Sequence, residues 1–472
     1  MPSVKGTDAV NHAHTTTSLY PYFLGGLLMI VKRGSSSPLL FRSWINSVYT
    51  GNEGDIMKTV TRRKLHKPGL AVVLLVACQF TIASAVDLER PRARDLGLVV
   101  GTFPVGKNNA ITDVAGVLVG HTTKIEGEDI RTGVTAIIPG PGNLYTHPIP
   151  AWIHVGNGYG KMVGETQVRE FGEIETPIIL TCTLCVWSAA NGLKKWMYEQ
   201  PGMGEHTMNP IVGETNDSRV NNMWSDPIGY EEVAKALNSA TSGPVQEGSV
   251  GAGTGTQAFA WKGGIGTSSR VIPKSLGGYT VGVLVQTNFN GTLSMNGAPV
   301  GRELNQYAYQ RNLTRNSGIS SDDLAVTAAP VDNDKEDGSI MMVVATDAPL
   351  DARTLDRIAM RAVMGLARTG SFASNGSGDY VIAFSTNAAA RRPRFSTIPV
   401  DTQVVVNDAM SPLFAATAEA TEEAIYNAIL KATTVSSSRG ELKAISIGDL
   451  KKILNKYRVL GWDESLPPQH SK

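Results

Sequence analysis

A serine stands where a polar segment meets an apolar run that is typical of a buried strand. Residues 331–338 read VDNDKEDG, and Ser339 opens the run that continues to Ala345. On its own, a Gly-Ser pair before a strand is typical of an ordinary turn. If the bond between Gly338 and Ser339 were cut, however, Ser339 would carry a hydroxyl nucleophile and, in its new α-amine, a base with an ordinary pKa of about 8. The junction therefore raises the hypothesis of a chain that cleaves itself to expose a catalytic serine.

A serine and an acid stand two residues apart in front of the next apolar run. Residues 375–379 read NGSGD and lead into the strand predicted over 380–384. On a strand, this spacing places Ser377 and Asp379 on one face, where they can hydrogen-bond and orient a nucleophile. A glycine turn closed by an Asx-type hydrogen bond is the competing interpretation.

Two more polar residues accompany predicted strands. Glu214 lies in the segment GETND (213–217), which follows an apolar stretch, and Asn288 ends the strand predicted over 279–288. An asparagine amide at a strand end can donate a hydrogen bond to a developing oxyanion. Each residue alone is equally compatible with a turn, so both gain meaning only together with Ser339.

Other catalytic patterns fail on their spacing. His121, His147, His154 and His206 are scattered and do not form a metal-binding pattern such as H-E-x-x-H. No G-x-S-x-G lies between a strand and a helix, which disfavours a Ser-His-Asp hydrolase. The glycine run at 251–255 lacks the full dinucleotide fingerprint, so it is better explained by closely packed backbone or a pocket wall. The sequence therefore predicts neither a cofactor nor a metal.

Hydrophobic periodicity predicts the elements that must position these residues. Strands are predicted over 97–103, 116–123, 132–139, 178–180, 279–288 and 380–384, and from Ser339 onward; helices are predicted over 189–200, 230–238 and 415–431, and between a cap at Asp351 and a stop at Gly370. The polar segment 315–338 shows no periodicity, and such a long loop in a compact domain is usually functional. Mixed strands and helices predict a layered α/β fold.

The N-terminal 85 residues differ from the rest. Residues 57–85 combine a basic start, a short apolar block and the cleavage-site pattern Ala-Ser-Ala, which together predict a secretory signal peptide. The block is too short for a membrane anchor, and processing at Cys78, as in a lipoprotein, is the minor alternative. Residues 1–56 show no domain-like pattern and are predicted to be a non-structural upstream extension. Residues 86–472 then form a single domain that is periplasmic or secreted.

Composition excludes other classes of function. Hydrophobic residues make up 42% and charged residues 18% of the 472, which is typical of a globular protein with a sizeable core. The net charge is +1, but the first 85 residues carry nine Lys/Arg and only three Asp/Glu, so the remaining residues have a net charge of about −5. No basic patch remains for binding nucleic acid. Cys182 and Cys185 lie in an apolar strand-like run, where two buried free thiols are favoured over a disulfide.

These segments together resemble one family, the self-processing L-aminopeptidase/D-esterase family, which includes the β-peptidyl aminopeptidases and a pantetheine-cleaving hydrolase. The resemblance rests on RTGVTAIIP (131–139), TPIILT (176–181), GETND (213–217), GSVGAGTG (248–255), WKGGIGTSSR (261–270), LVQTNF (284–289), DGSIMMVVATDAPL (337–350) and NGSGDYVIAFST (375–386). They occur in order and cover nearly everything after residue 85. Each string alone is weak, but the set is specific.

The resemblance implies a four-layer αββα sandwich, similar to N-terminal-nucleophile hydrolases but with different connectivity. It also implies cleavage between Gly338 and Ser339, which gives an α chain over 86–338, a β chain over 339–472 and an assembly, often tetrameric, of αβ units. The implied roles are Ser339 as nucleophile, Ser377 and Asp379 as its supporting serine and acid, Asn288 as oxyanion donor and Glu214 as the acid that binds the substrate amine.

The implied activity is that of a serine aminopeptidase that releases a small α- or β-amino acid from peptides, amides or esters. Cleavage of pantetheine-like amides or acyl transfer is the main alternative, and a non-enzymatic exported binding protein is the more distant one. Two departures bear on specificity. Some relatives have glutamate where Asp379 stands, and some carry a tyrosine after the GETND-like segment, where this chain has Ser218, Arg219 and Val220.

Overall fold

The computed structural model describes residues 90–316 and 337–468, together with a two-residue antiparallel strand pair, Phe23–Leu24 with Leu27–Leu28. The chain divides into two compact units, Met1–Ser84 and Ala85–Lys472. Apart from those four strand residues, the predicted extension 1–56 and signal peptide 57–85 lie outside the described residues, as does most of the polar segment 315–338. Everything below concerns the second unit.

The strands of this unit form two main sheets. In chain order they are β1 (Leu118–Glu126), β2 (Ile130–Ile138), β3 (Ile149–Gly158), β4 (Glu173–Ile174), β5 (Ile178–Cys182), β6 (Ile211–Thr215), β7 (Gln257–Ala258), β8 (Trp261–Lys262), β9 (Ile265–Val271), β10 (Thr280–Asn288), β11 (Asp337–Thr346), β12 (Gly376–Ser385), β13 (Val435–Ser437) and β14 (Gly440–Leu442). One sheet has the order β9-β10-β11-β12-β3-β4 and the other β1-β2-β5-β6; β7 with β8 and β13 with β14 are small hairpins.

Helices cover both outer faces of the sheets. They are α1 (Glu165–Phe171), α2 (Val186–Tyr198), α3 (Tyr230–Asn238), α4 (Val300–Glu303), α5 (Gln310–Asn316), α6 (Ala352–Arg368), α7 (Ser411–Lys431), α8 (Ile447–Lys456) and α9 (Trp462–Ser465). In the described residues, no helix is both long enough and apolar enough to span a bilayer.

Alternation along the central strands builds a core in three layers. On β11, Ile340, Met342 and Val344 pack with the apolar faces of α6 and α7. Met341 and Val343 face the other way and pack with residues of the four-stranded sheet. A third cluster joins the outer face of that sheet to α2 and α3. The order helices, sheet, sheet, helices is the four-layer αββα sandwich that the family resemblance implies.

Local sequence signals are sufficient to predict both ends and the buried face of helix α6. Asp351 caps it, accepting a hydrogen bond from the Thr354 backbone N–H at 2.8 Å, as the sequence predicts. The predicted apolar face is buried, and Gly370 follows the last turn with a φ of +99°, a conformation that favours glycine. The helix predicted over 230–238 is likewise confirmed.

The strand predicted over 97–103 is wrong. Its apolar side chains are buried, but the backbone pairs with side chains instead of a neighbouring strand. The Val100 carbonyl accepts a hydrogen bond from Arg270 Nη2 at 2.9 Å, and the Val99 carbonyl accepts one from Asn296 Nδ2 at 2.7 Å. Because Arg270 and Asn296 are distant in sequence, nothing local reveals this arrangement.

The prediction of two free thiols is also wrong. Cys182 ends β5, Cys185 precedes α2, and the two sulfur atoms form a disulfide. Their Cα atoms are 5.1 Å apart, which suits a disulfide. The apolar run that indicated a continuous strand is in fact a strand-to-helix turn, and the helix accordingly starts at Val186, three residues before its predicted start.

Candidate active site

The Gly338–Ser339 junction lies at the start of β11, in the middle of the six-stranded sheet. Ser339 pairs with Asn288 on antiparallel β10 and with Gly378 on parallel β12. Its side chain is buried, and its hydroxyl donates a hydrogen bond to the carbonyl of Gly338. In the uncut chain, the hydroxyl therefore already contacts the carbonyl group that it would attack.

The predicted site residues surround this junction from two sides. Ser339 lies on the same side of β11 as Met341, toward the four-stranded sheet, and its cross-strand partner Asn288 shares that side. Ser377 and Asp379 lie on the same face of β12 as Val381 and Ala383, which pack toward α6, so they are on the other side of the sheet. The two groups thus approach the backbone at the start of β11 from opposite faces of the sheet.

Asn288 is held by the hairpin of β7 and β8. Its Oδ1 accepts a hydrogen bond from the Gln257 backbone N–H at 3.1 Å. Arg219 lies in the stretch where some relatives have a tyrosine. Its Nη1 donates a hydrogen bond to the side-chain Oε1 of Gln257 at 3.4 Å. Because the amide oxygen of Asn288 is engaged in this way, its NH₂ end is the one that is left to serve as an oxyanion donor.

Ser377 and Asp379 form a directed pair. Ser377 Oγ donates to Asp379 Oδ1 at 2.6 Å, so the contact allowed by their spacing is present. Burial raises the pKa of Asp379 to about 6, although the Ser377 hydrogen bond partly offsets this effect. A Cβ on Gly338 would lie 3.2 Å from Ser377 Oγ, so this pair lies directly against the residue that precedes the junction.

Glu214 approaches from the four-stranded sheet. The carboxylate is buried; Oε1 accepts a hydrogen bond from the Lys161 backbone N–H at 2.9 Å, and Oε2 has no hydrogen-bond partner among the described residues. A Cβ on Gly160 would lie 3.3 Å from Glu214 Oε1 and 3.2 Å from the Cα of Gly378. Only this glycine separates the acid from the strand that pairs with Ser339.

A buried lysine that the sequence analysis missed supports the glycine-rich segment. Lys262 Nζ donates to the carbonyls of Gly253 at 2.7 Å and Gly263 at 2.8 Å, and burial lowers its pKa to about 7. A Cβ on Gly253 or Gly264 would meet neighbouring backbone atoms at 2.2–2.4 Å. The segment is therefore closely packed backbone, as the sequence indicates. Lys262 was missed because lysine usually lies on the surface and is rarely fully buried.

The histidines lie apart from this site. His121 is largely buried, contacts Thr135 Oγ1 at 2.9 Å, and has its pKa lowered to about 4 by desolvation. His154 contacts Asp356 and His206 stacks on Tyr145. Within residues 90–316 and 337–468, no three His, Cys, Asp or Glu side chains are grouped as metal ligands would be.

Comparison with known proteins gives consistent similarities. The sequence model of Peptidase family S58 matches residues 109–443. The Beta-peptidyl aminopeptidase BapA of Sphingosinicella microcystinivorans is 39% identical over 392 residues, which cover 80% of this chain and 96% of that protein.

Two solved structures are also similar. A Burkholderia sp. beta-aminopeptidase has a TM-score of 0.69 and 37% identity, covering 79% of this chain and 99% of its own. The L-aminopeptidase D-Ala-esterase/amidase of Ochrobactrum anthropi has a TM-score of 0.68 and 34% identity, covering 79% of this chain and 100% of its own. The latter is described as a prototype for the serine aminopeptidases and a new variant among the Ntn hydrolase fold.

Proposed function

The chain belongs to peptidase family S58 and is an aminopeptidase with an Ntn-hydrolase fold, and from that premise we propose that it cuts itself between Gly338 and Ser339 and then uses Ser339 as its nucleophile. The observation that carries the proposal is the contact of the Ser339 hydroxyl with the Gly338 carbonyl in the middle of the sheet. Self-processing is characteristic of the family.

The cleavage step follows from that contact. Ser339 Oγ attacks the carbonyl carbon of Gly338, the C–N bond breaks, and an ester joins Gly338 to the serine oxygen while the amine of Ser339 is released. Water then hydrolyses the ester, leaving a carboxylate on Gly338 and a free hydroxyl on Ser339. Glycine at 338 is favoured here because a Cβ would lie 3.2 Å from both Ser377 Oγ and the Cα of Phe289, which is tighter than normal packing.

The aminopeptidase cycle uses the same groups. Glu214 binds the substrate ammonium, and Ser339 Oγ attacks the scissile carbonyl while its proton passes to the new α-amine. The NH₂ group of Asn288 stabilises the oxyanion. Because Ser377 and Asp379 lie on the opposite side of the strand from the Ser339 side chain, they act on the amine by holding and orienting it. The leaving group takes up the proton, and water releases the acyl residue.

The substrate class is an N-terminal β-amino acid or small α-amino acid in a peptide, amide or ester. The β preference is supported by the name of the relative with 39% identity, a Beta-peptidyl aminopeptidase. We further propose that residues 57–85 direct export to the periplasm or beyond, that the uncut chain is an inactive zymogen, and that αβ units assemble into a homo-oligomer, in keeping with the sequence expectations.

The test compares the wild type with Ser339→Ala and with the control Ser436→Ala, whose serine is exposed on β13. Wild type and control should each run as two bands and hydrolyse β-alanyl and alanyl 4-nitroanilides. Ser339→Ala should run as one band and be inactive. A pantetheine assay run in parallel identifies the alternative amide substrate. Full anilide hydrolysis by Ser339→Ala would refute the proposal.

A further inference from the structure

We propose that the amine site of this enzyme selects N-terminal β-aspartyl residues, in which the carbon that bears the ammonium also bears a carboxylate. This inference rests on the proposed function, because it assigns Glu214 to the substrate amine. It adds Lys161 as the residue that binds the neighbouring carboxylate, a role that neither the family pattern nor the sequence analysis predicts.

The geometry places a cation beside the amine-binding acid. Lys161 Nζ lies 3.5 Å from Glu214 Oε1 and donates a hydrogen bond to Thr183 Oγ1 at 2.8 Å. The Lys161 side chain is 36% exposed, whereas that of Glu214 is 2% exposed. Lys161 is therefore the partly exposed member of the pair, and in this proposal it contacts the substrate beside the buried carboxylate.

The remaining hydrogen-bonding capacity of the pair is complementary. Glu214 Oε2 is buried without a partner among the described residues and can accept a hydrogen bond from a substrate ammonium. An ammonium group has three protons, and the two oxygen contacts of Lys161 Nζ leave at least one for a ligand. A buried acceptor and an accessible donor thus lie side by side.

The charges of this pair argue against a simple cationic substrate. A lysine at 3.5 Å partly neutralises the Glu214 carboxylate and repels an approaching ammonium, which weakens binding of a residue such as β-alanine. A substrate that brings a carboxylate next to its ammonium replaces this repulsion with a second ion pair. The pair therefore matches a zwitterionic head group better than a cation.

The connectivity of a β-aspartyl residue meets both requirements. Its scissile carbonyl is two carbons from the amine-bearing carbon, the spacing of a β-peptide, and its α-carboxylate is attached to that same carbon. An α-aspartyl residue has the same charges, but its amine is one carbon closer to the scissile carbonyl. Hydrolysis follows the proposed cycle: the amide bond breaks, water is added, and free aspartate is released.

The experiment measures kcat/KM of the processed enzyme for the 4-nitroanilides of β-aspartate, β-alanine and α-aspartate. The variants are Lys161→Met, Lys161→Arg and the control Lys452→Met, whose side chain is 80% exposed on α8. The wild type should favour the β-aspartyl substrate. Lys161→Met should lower the ratio of β-aspartyl to β-alanyl kcat/KM by roughly 10- to 100-fold, the effect of one charge-assisted hydrogen bond. Lys161→Arg should restore part of it.

Each result decides the question. The inference is overturned if the wild type does not hydrolyse the β-aspartyl substrate, or if wild type and Lys161→Met have the same ratio of β-aspartyl to β-alanyl kcat/KM. In either case, hydrolysis of the β-alanyl substrate still supports the proposed function. If Lys161→Met does not cleave itself, the inference is tested by two other measurements: the preference of the wild type among the three anilides, and the same kcat/KM ratio in Lys161→Arg. Hydrolysis of none of the three anilides by fully processed wild type contradicts the proposed function itself.

Discussion

Two carboxylate oxygens of the candidate site can each accept a further hydrogen bond. Glu214 Oε2 and Asp379 Oδ2 are both buried and have no hydrogen-bond partner in the part of the chain that the structure describes. An unpaired buried acceptor typically costs about 1–3 kcal/mol. In the proposed mechanism, a group that is absent from the uncut chain pairs with each atom: the substrate ammonium with Glu214 and the new α-amine of Ser339 with Asp379.

The pH dependence of stability should reveal Asp379. Its pKa is raised from 3.8 to about 6 by burial, so between these pH values the folded chain holds a proton that the unfolded chain has released. This contribution to stability is therefore present at pH 4 and is lost as the pH rises through 6. An asparagine at 379 cannot ionise, so the free energy of unfolding of Asp379→Asn, relative to that of the chain with Asp379, should increase from pH 4 to pH 8. Urea unfolding measures this difference, with both chains carrying Ser339→Ala so that they remain uncut.

The same residue should affect catalysis. Asp379→Asn should lower kcat by roughly 100-fold or more, as expected when a group that positions a proton acceptor is lost. The wild-type rate should fall on the acidic side as Asp379 becomes protonated, because a protonated carboxyl no longer accepts a hydrogen bond on both oxygens. A variant with wild-type kcat and an unchanged acidic limb would exclude Asp379 from the mechanism.

At the scale of elements, glycines set the distances within the site. Gly160 has an ordinary φ, so its importance lies in space: a Cβ there would lie 3.0 Å from Tyr380 Cε2 and 3.3 Å from Glu214 Oε1. It would also lie 3.2 Å from the backbone Cα of Gly378 on β12, so all three contacts are tighter than normal packing. The absence of a side chain at Gly160 keeps the amine site open next to the nucleophile strand.

Gly160→Ala should therefore raise KM about tenfold with a smaller change in kcat, because the added methyl group crowds the carboxylate that binds substrate. Gly448→Ala is the matched control, since Gly448 is exposed in α8 and a Cβ there meets nothing within 4 Å. The control should keep its kinetics and gain up to about 1 kcal/mol of stability. Equal KM values for the two variants would show that Gly160 does not border the amine site.

Sequence predicted the elements whose signals are local. Asp351 and Gly370 delimit α6 through capping and a positive φ, and Ser377 with Asp379 could be paired by the period of a strand. Long-range contacts were missed, because the partners of Lys161 are revealed only once distant segments pack together. The same limit explains the errors over 97–103, where distant side chains satisfy the backbone.

At the scale of the whole molecule, the proposed cut falls inside a shared sheet. Strand β12 and all of β11 from Ser339 onward follow the junction, but they lie between β10 and β3, which precede it. The apolar side chains of β11 that face the four-stranded sheet are buried against residues that precede the junction. Cleavage therefore separates the covalent chain without separating its core.

The two chains should consequently remain associated after cleavage. The processed wild type and the uncut Ser339→Ala should elute at the same volume in size-exclusion chromatography under native conditions, although only the former shows two bands after denaturation. The β chain should be released only in denaturant, together with loss of secondary structure. Spontaneous release of a folded β chain in buffer would contradict the shared-sheet architecture.

The most direct test of the account is the N-terminal residue of the smaller chain. Intact-mass measurement and N-terminal sequencing of the purified wild type should give a fragment that begins Ser339-Ile340-Met341 and ends with the last residue of the expressed chain. The larger fragment should end at Gly338. A small fragment that begins at any other residue, or an active enzyme that contains only one chain, would contradict the assignment of Ser339 as the nucleophile.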